Sequence, residues 1–181
     1  MAEVTPQLVD QLRTLKGAIT TVCLTGSVAP EFAANLSNLR SWNDRNNFWN
    51  IEYRIENAVL VEAGRDAACA HALKENYNWL LQIDADAAPF PQDAVPRMLK
   101  TLFVDLPQLD GLGAYCQVKA WPYLPTIDTG TGKWEEHYPG EGILPVIRTG
   151  AHFLMLKTQA FMRFGPPWFR TRLGYKPSRA F

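Results

Sequence analysis

The stretch Asn78-Trp79-Leu80-Leu81-Gln82-Ile83-Asp84-Ala85-Asp86-Ala87-Ala88-Pro89-Phe90-Pro91 decides how this chain folds. Trp79 to Ile83 is an apolar run of the length and type of a buried strand. Asp84 and Asp86 follow at once, one residue apart. Pro89 and Pro91 break the strand, and Pro91 is expected to start a helix. In an open α/β sheet, ligands bind beyond the carboxyl ends of the strands. The motif therefore sets two hard oxygen donors where such a fold binds things. Paired carboxylates suit Mg²⁺ or Mn²⁺, ions usually held together with substrate phosphates. The same spacing suits an ordinary turn, because Asp favours turns. Spacing alone leaves both readings open.

Upstream, Leu8, Leu12 and Leu15 sit at helical spacing in residues 6–16, a short leading helix. Residues 18–24 are β-rich and apolar and form the expected first strand. Thr25-Gly26-Ser27 ends it with a small turn of the kind that lets backbone approach a ligand, often a nucleotide. Every βα unit needs some turn there, so that signal is general. Pro30 suits a helix start, and Phe32, Leu36 and Leu39 form one apolar face. The polar cluster 43–47 closes this helix. Residues 48–54 alternate large apolar with polar side chains, a strand pattern. Gly64-Arg65-Asp66 is expected to open an Ala-rich helix running to about Lys74. A cation at a helix N-terminus is disfavoured by the dipole. An anionic partner such as a diphosphate would resolve that, and so would an ion pair with Asp66 or Glu62.

Downstream, Val95, Met98, Leu99 and Leu102 make a core-facing helical stripe. Residues 107–110 read as a loop and 112–118 as a further strand. From Lys119 to Pro145 the chain is rich in Pro, Gly and aromatics with little periodicity. A long irregular loop of this kind is a lid or sugar-binding wall, or else a hairpin that packs its own aromatics. Residues 147–156 read as a turn plus strand. Thr158 is expected to cap a short helix that Gly165 closes.

The bulk numbers narrow the function classes. The 181 residues suffice for one domain with a real core. Hydrophobic content of 47% and charged content of 20% describe a globular chain rather than a disordered one. Eighteen basic and 18 acidic residues give a formal net charge of zero, which argues against a nucleic-acid coat protein. No acid follows Glu141, whereas Arg148, Lys157, Arg163, Arg170, Arg172, Lys176 and Arg179 do. That basic segment could meet phosphate, an anionic acceptor or a membrane surface, or be a solvated tail. Cys23, Cys69 and Cys116 are odd in number and show no CxxC, which fits a reducing compartment. No signal peptide or membrane span is expected, so a cytoplasmic setting is.

Four segments, in order, resemble nucleotide-sugar glycosyltransferases with the A-type, Rossmann-like fold, in particular the small family-2-like transferases of bacteria and bacteriophages. Gly64-Arg65-Asp66 is similar to their Ala-Arg-Asn. Leu80 to Asp86, with Phe90-Pro91-Gln92-Asp93-Ala94 and Arg97-Met98-Leu99, resembles their strand, DxD and following helix start. Gly111 to Tyr115 resembles their G-x-x-Y strand. Arg148 to Leu156, with Ala160-Phe161 and Pro167-Trp168-Phe169, resembles their G-T-G to P-W-F segment. The resemblance covers most of residues 18–170. It implies an α/β fold with a mixed, mainly parallel sheet flanked by helices, as one domain over residues 1–170 with a basic tail at 171–181. It also implies a sugar moved from a nucleotide-diphosphate donor with Mn²⁺ or Mg²⁺.

By the same resemblance Asp86 ligates the metal, and Asp84 lies nearer the ribose or shares the ion. Arg65 lies by the diphosphate, and Thr25, Gly26 and Ser27 line the nucleoside pocket. Gly150 and His152 lie near the acceptor or donor sugar. His152 stands where the family has a small or apolar residue, so it is an extra contact or simply a strand-end histidine. The chain departs from the family in lacking the acidic pair and late His that usually follow P-W-F. The base is then expected among the late acids Asp128, Glu135, Glu136 and Glu141, with Glu141 the catalytic candidate, or the chain is a truncated or minimal form. A glycan, a protein or modified DNA could accept the sugar, and a homo-oligomer stays open. Competing readings are a degenerate domain that binds nucleotide sugar or glycan without turnover, and a sugar nucleotidyltransferase. The second needs a Gly-rich basic loop after the first strand, and residues 22–30 lack Lys and Arg. A nucleic-acid binder acting through the basic tail is a further alternative, disfavoured by the neutral charge.

Overall fold

The computed structural model describes residues 5–24, 27–87, 89–114, 127–128, 142–143, 145–146 and 148–169. Helix α1, Pro6–Thr14, starts at Thr5, whose hydroxyl accepts from the Leu8 amide at 3.3 Å. Strand β1, Gly17–Cys23, is buried along its whole length. Helix α2, Pro30–Arg45, buries Phe32, Leu39 and Asn43. Strand β2, Ile51–Asn57, helix α3, Val61–Lys74, and strand β3, Trp79–Asp84, follow. Helix α4, Ala94–Lys100, runs on into a π-helical turn, Thr101–Asp105. Then come β4, Gly111–Gly113; β5, Ile127–Asp128; β6, Arg148–Thr149; β7, Phe153–Lys157; and helix α5, Thr158–Arg163.

The main sheet has the order β2-β1-β3-β7-β4, and β5 pairs with β6 in a separate ribbon. β2, β1 and β3 are parallel neighbours, while β7 runs antiparallel to both β3 and β4. β4 therefore points the same way as β3, and only β7 opposes the others. The expected mixed, mainly parallel sheet flanked by helices is what forms. Ile19, Trp79, Leu81, Ile83, Phe153 and Met155 pack on one face with Phe32 and Leu39 of α2 and the α4 stripe Val95, Met98, Leu99 and Leu102. The other face packs Ala18 and Leu80 against Ala68, Cys69 and Ala72 of α3 and Phe161 of α5. Burying one such Phe or Leu contributes about 1.5–3 kcal/mol. No described helix is long and apolar enough to cross a membrane.

Several expected boundaries shift for local reasons. α3 begins at Val61, not at Gly64. Pro91 lies in the turn before α4, where its carbonyl accepts from Ala94 N at 3.2 Å, instead of opening the helix. β2 begins at Ile51, not Phe48. Asn47 takes a positive φ of 63°, the Phe48 amide returns to Asn43 O at 2.9 Å, and the Phe48 ring stacks on Trp42. Phe48 thus seals the end of α2, and its neighbour Trp49 stays exposed. Thr158 is the first residue of α5, not its cap, and its hydroxyl donates to the Tyr77 carbonyl. Of the expected strand 112–118, residues 115–118 lie outside the described set, as do most of the 119–145 loop and the tail from 170.

Gly17 is the tightest point of the sheet, because a Cβ there would overlap the Trp79 indole. Both residues sit at the register-paired start of their strands. Trp79 is fully buried and cannot swing aside. Gly17→Ala is expected to cost about 1–3 kcal/mol, the range for overpacking a filled core. Urea denaturation followed by circular dichroism would read it. A midpoint equal to wild type would show that the indole has room to move.

Candidate functional site

The end of β3 lies at a crevice built by the chain's own winding. From β1 the chain passes through α2 to β2 on one face. It then crosses back through α3, on the other face, to β3. The connections leaving β1 and β3 part in opposite directions between those two strands. That is the switch point where open α/β sheets bind ligands. Asp84 sits at it, in register with Val22 of β1 on one side. On the other side its amide bonds the His152 carbonyl at 2.9 Å. Beyond it the chain turns at once, with Ala87 N on Asp84 O at 2.9 Å, and Asp86 stands exposed in that turn.

Both carboxylate oxygens of Asp84 are engaged. Oδ1 accepts from Arg65 Nη2 at 2.6 Å, and Oδ2 from His152 Nδ1 at 2.7 Å. The Arg65 and Asp84 side chains are only 14% and 20% exposed, so solvent screens the pair weakly. Burial by itself would raise the Asp84 carboxyl. The His152 hydrogen bond and the Arg65 charge outweigh it and hold the group below the usual carboxylate value. The hydrogen bond to Asp84 raises His152 above its ordinary 6.5, against the opposing effect of burial. The negative charge of Asp86 pulls on the same imidazole, which places Asp86 within electrostatic reach of His152. With Nδ1 turned to Asp84, the Nε2 nitrogen is presented on the far side of the ring.

Arg65 reaches the motif because α3 lies close on the sheet. A Cβ on Gly64 would meet Val22 Cγ1 at 2.6 Å, so a glycine lets the helix settle here. Arg65 is in the second turn of α3, not at its N-terminus, and its acidic partner is Asp84 rather than Asp66 or Glu62. It also donates to the Ala151 carbonyl at 3.3 Å. Asp66 does something the sequence did not announce: its Oδ1 accepts the amides of Trp168 and Phe169, each at 2.9 Å. The Phe169 ring lies 5.7 Å from Arg65 Cζ. The sole sequence signal was the co-occurrence of Asp66 with the P-W-F segment, and nothing in spacing ties positions a hundred residues apart.

The other sequence candidates divide. Ser27 follows the end of β1, which lies beside Asp84 in the sheet, and its carbonyl accepts from Cys23 Sγ at 2.9 Å. Gly150 is half-buried in the β6–β7 connection, next to Ala151. Thr25, Gly26 and Glu141 lie outside the described residues. The structure thus brings Asp84, Asp86, Arg65 and His152 together.

Among the described residues, no group of three or more His, Cys, Asp or Glu side chains is arranged to hold a metal ion unaided. Mg²⁺ and Mn²⁺ in phosphate-handling sites are commonly held by one or two carboxylates, with substrate oxygens and water completing the shell. The exposed Asp86 carboxylate, with the Asp84 carboxylate two residues before it, supplies oxygen donors of that kind. The residues present fit such an ion if substrate shares it.

No protein-family model matches the chain, and no curated protein does. Among solved structures it is similar to A197 from STIV, with a TM-score of 0.62 at 19% identity, over 87% of this chain and 72% of that one. It also matches a glycosyltransferase involved in the glycosylation of the major capsid of PBCV-1, with a TM-score of 0.45 at 12% identity, over 84% and 68%. The first likeness shows a shared fold.

Proposed function

We propose that the chain is a glycosyltransferase that takes a sugar from a nucleotide-diphosphate donor with the help of a divalent cation. One observation carries this reading. At the switch point, a carboxylate at the end of β3 is held by a largely buried arginine and a histidine, with a second, exposed carboxylate two residues on. The sequence resemblance in four ordered segments supports it.

The chemistry required is charge handling. Breaking a sugar–phosphate bond leaves a diphosphate anion, and preorganised positive charge stabilises it. A divalent cation on Asp86, shared with Asp84, would supply Lewis acidity toward the diphosphate oxygens. Arg65, fixed by Asp84 and Ala151 O, adds a planar cation suited to phosphate. Asp84 sets the direction of Arg65 and His152 rather than acting alone. Ser27 and Gly150 are proposed to border the nucleoside and sugar, with Thr25 and Gly26 in the same nucleoside turn. Glu141 remains the proposed base for the acceptor hydroxyl, within a domain over residues 1–170.

The test is titration of the chain with UDP-, GDP- and ADP-linked sugars, with Mn²⁺ and then with excess chelator. Metal-dependent binding of one donor, followed by donor hydrolysis or transfer to a glycan, protein or DNA acceptor, is the expected result. Binding without turnover on every acceptor would favour the degenerate binding domain. Binding that survives the chelator unchanged would remove the cation from the proposal.

A further inference from the structure

We propose that Asp66 is a positioning residue of this site, clasping residues 167–169 so that the Phe169 ring covers the Arg65 guanidinium bound to Asp84. The proposal deepens the donor-site reading above and rests on it. Its basis is a continuous set of contacts from α3 to the end of β3. One oxygen of Asp66 receives two consecutive backbone amides, Trp168 N and Phe169 N, at 2.9 Å each. Hydrogen bonds to a carboxylate are roughly twice as strong as neutral ones, and two on one oxygen fix a segment's path as well as its distance. Trp168 is pinned independently: its indole Nε1 donates to Phe161 O at 2.9 Å, and its ring packs 5.8 Å from the Phe161 ring. With Trp168 turned toward α5, the next side chain, Phe169, is delivered over α3.

What it meets there is Arg65, the residue beside Asp66. The Phe169 ring centre lies 5.7 Å from the guanidinium carbon, within cation–π range. The guanidinium edge meets Asp84 Oδ1 at 2.6 Å and Ala151 O at 3.3 Å. A guanidinium carries its five donors in its own plane. With Arg65 Cζ over its ring, Phe169 shields the guanidinium from water and, having no acceptor, occupies none of those donors. The cation is thereby stiffened and partly dried while its in-plane edge stays available for an anion. Adjacent residues on one helix divide the work, since Asp66 holds the backbone of the strap and Arg65 receives its ring. A clasp of purely structural value would not need the aromatic ring to end on the guanidinium bound to the β3 carboxylate.

The experiment compares Asp66→Ala, Asp66→Asn, Phe169→Leu and Phe169→Tyr in the full chain, with thermal melts run alongside. The first readout is the Arg65 Nε–Hε resonance of ¹⁵N-labelled protein, assigned by its loss in Arg65→Lys. A ring over the guanidinium shifts that signal. Phe169→Leu is expected to abolish the shift and Phe169→Tyr to keep it. Asp66→Ala is expected to abolish it although Phe169 is still present, and Asp66→Asn, an acceptor of the same shape without the charge, to weaken it. The second readout is affinity for UDP, GDP and ADP with Mn²⁺. It is expected to fall roughly fivefold in Asp66→Ala and in Phe169→Leu, the scale of one cation–π contact, with no further fall in the double variant. An Arg65 signal and nucleotide affinity unchanged in a folded Asp66→Ala would overturn the proposal. A wild-type chain that binds none of the three nucleotides would overturn the donor reading instead, and the Arg65 signal would still decide whether Asp66 places the ring. If Asp66→Ala does not fold, Asp66→Asn and Phe169→Leu carry both readouts.

Discussion

Asp86→Ala is expected to abolish metal-dependent donor binding and to lower sugar transfer by at least about a hundredfold, while the domain keeps its fold. The two halves of this expectation have separate causes. Asp86 is exposed, in the turn beyond the last β1–β3 and β3–β7 ladder pairs. Substitutions at such positions usually move stability within about 0.5 kcal/mol. The catalytic half follows from the neighbourhood. Asp86 is the more exposed of the two carboxylates, so it is the one better placed to bring a metal to a diphosphate. Losing one preorganised electrostatic contact to the developing charge typically costs 10²–10³ in rate, about 2.7–4 kcal/mol. Mn²⁺ binding followed by electron paramagnetic resonance, a transfer assay and a thermal melt together check it. A folded Asp86→Ala that transfers sugar at the wild-type rate would remove the metal from this turn.

The two aspartates one residue apart thus carry different loads, and a sequence cannot tell them apart. The alternation along β3 places Asp84 on the α3 face of the sheet, where Arg65 waits. Asp86 lies in the turn that follows and is exposed. Asp84→Ala should therefore behave unlike Asp86→Ala, because it leaves the Arg65 guanidinium and the His152 imidazole without the carboxylate between them.

How much of this was legible in advance depended on whether the signal was local. The β3 run, the α4 stripe from Val95 to Leu102 and the buried face of α2 are periodic patterns within a few turns, and the structure reproduces them. Boundaries failed where one side chain or turn overrode the pattern. Phe48 reads as the first residue of an alternating strand, but its ring completes the end of α2 against Trp42. Pro91 has the right chemistry for a helix start, yet the chain makes one more turn before Ala94. An anionic partner for Arg65 was expected from a helix start at Gly64, a premise that the observed start at Val61 removes, although an anion is there. Which anion it is was not visible, because Asp84 is nineteen positions away and reaches it through the crossover of α3. For Asp66, spacing gave no signal, as its partners are backbone amides 102 and 103 residues on.

Arg65→Met is expected to destabilise the chain by about 1–2 kcal/mol at neutral pH, and to change how stability depends on pH. Removing one partner of a fully buried pair costs about 3–5 kcal/mol. This pair is partly exposed and Asp84 keeps His152, so the smaller figure applies. In the wild type Asp84 is depressed, so its contribution is present above the ordinary carboxylate value of 3.8 and is lost as pH falls through the lower folded value. His152 is raised, so its contribution is complete below 6.5 and is lost as pH rises through the higher folded value. Arginine keeps its charge across this range, and it supports Asp84 after His152 has lost its proton. Without Arg65, two of the influences that depress Asp84 disappear, and the acid limb moves to higher pH. The charge that opposes protonation of His152 also disappears, so the imidazole is raised further and becomes the sole cation on Asp84 among the described partners. The penalty for Arg65→Met should therefore be smallest at the acid end, where Asp84 is protonated in both proteins, grow as pH rises through the Asp84 limb, and grow again as His152 loses its proton. Urea denaturation at unit steps from pH 3 to 9 reads both limbs. Stability curves for variant and wild type that run parallel across that range would show that Arg65 and His152 do not share the carboxylate.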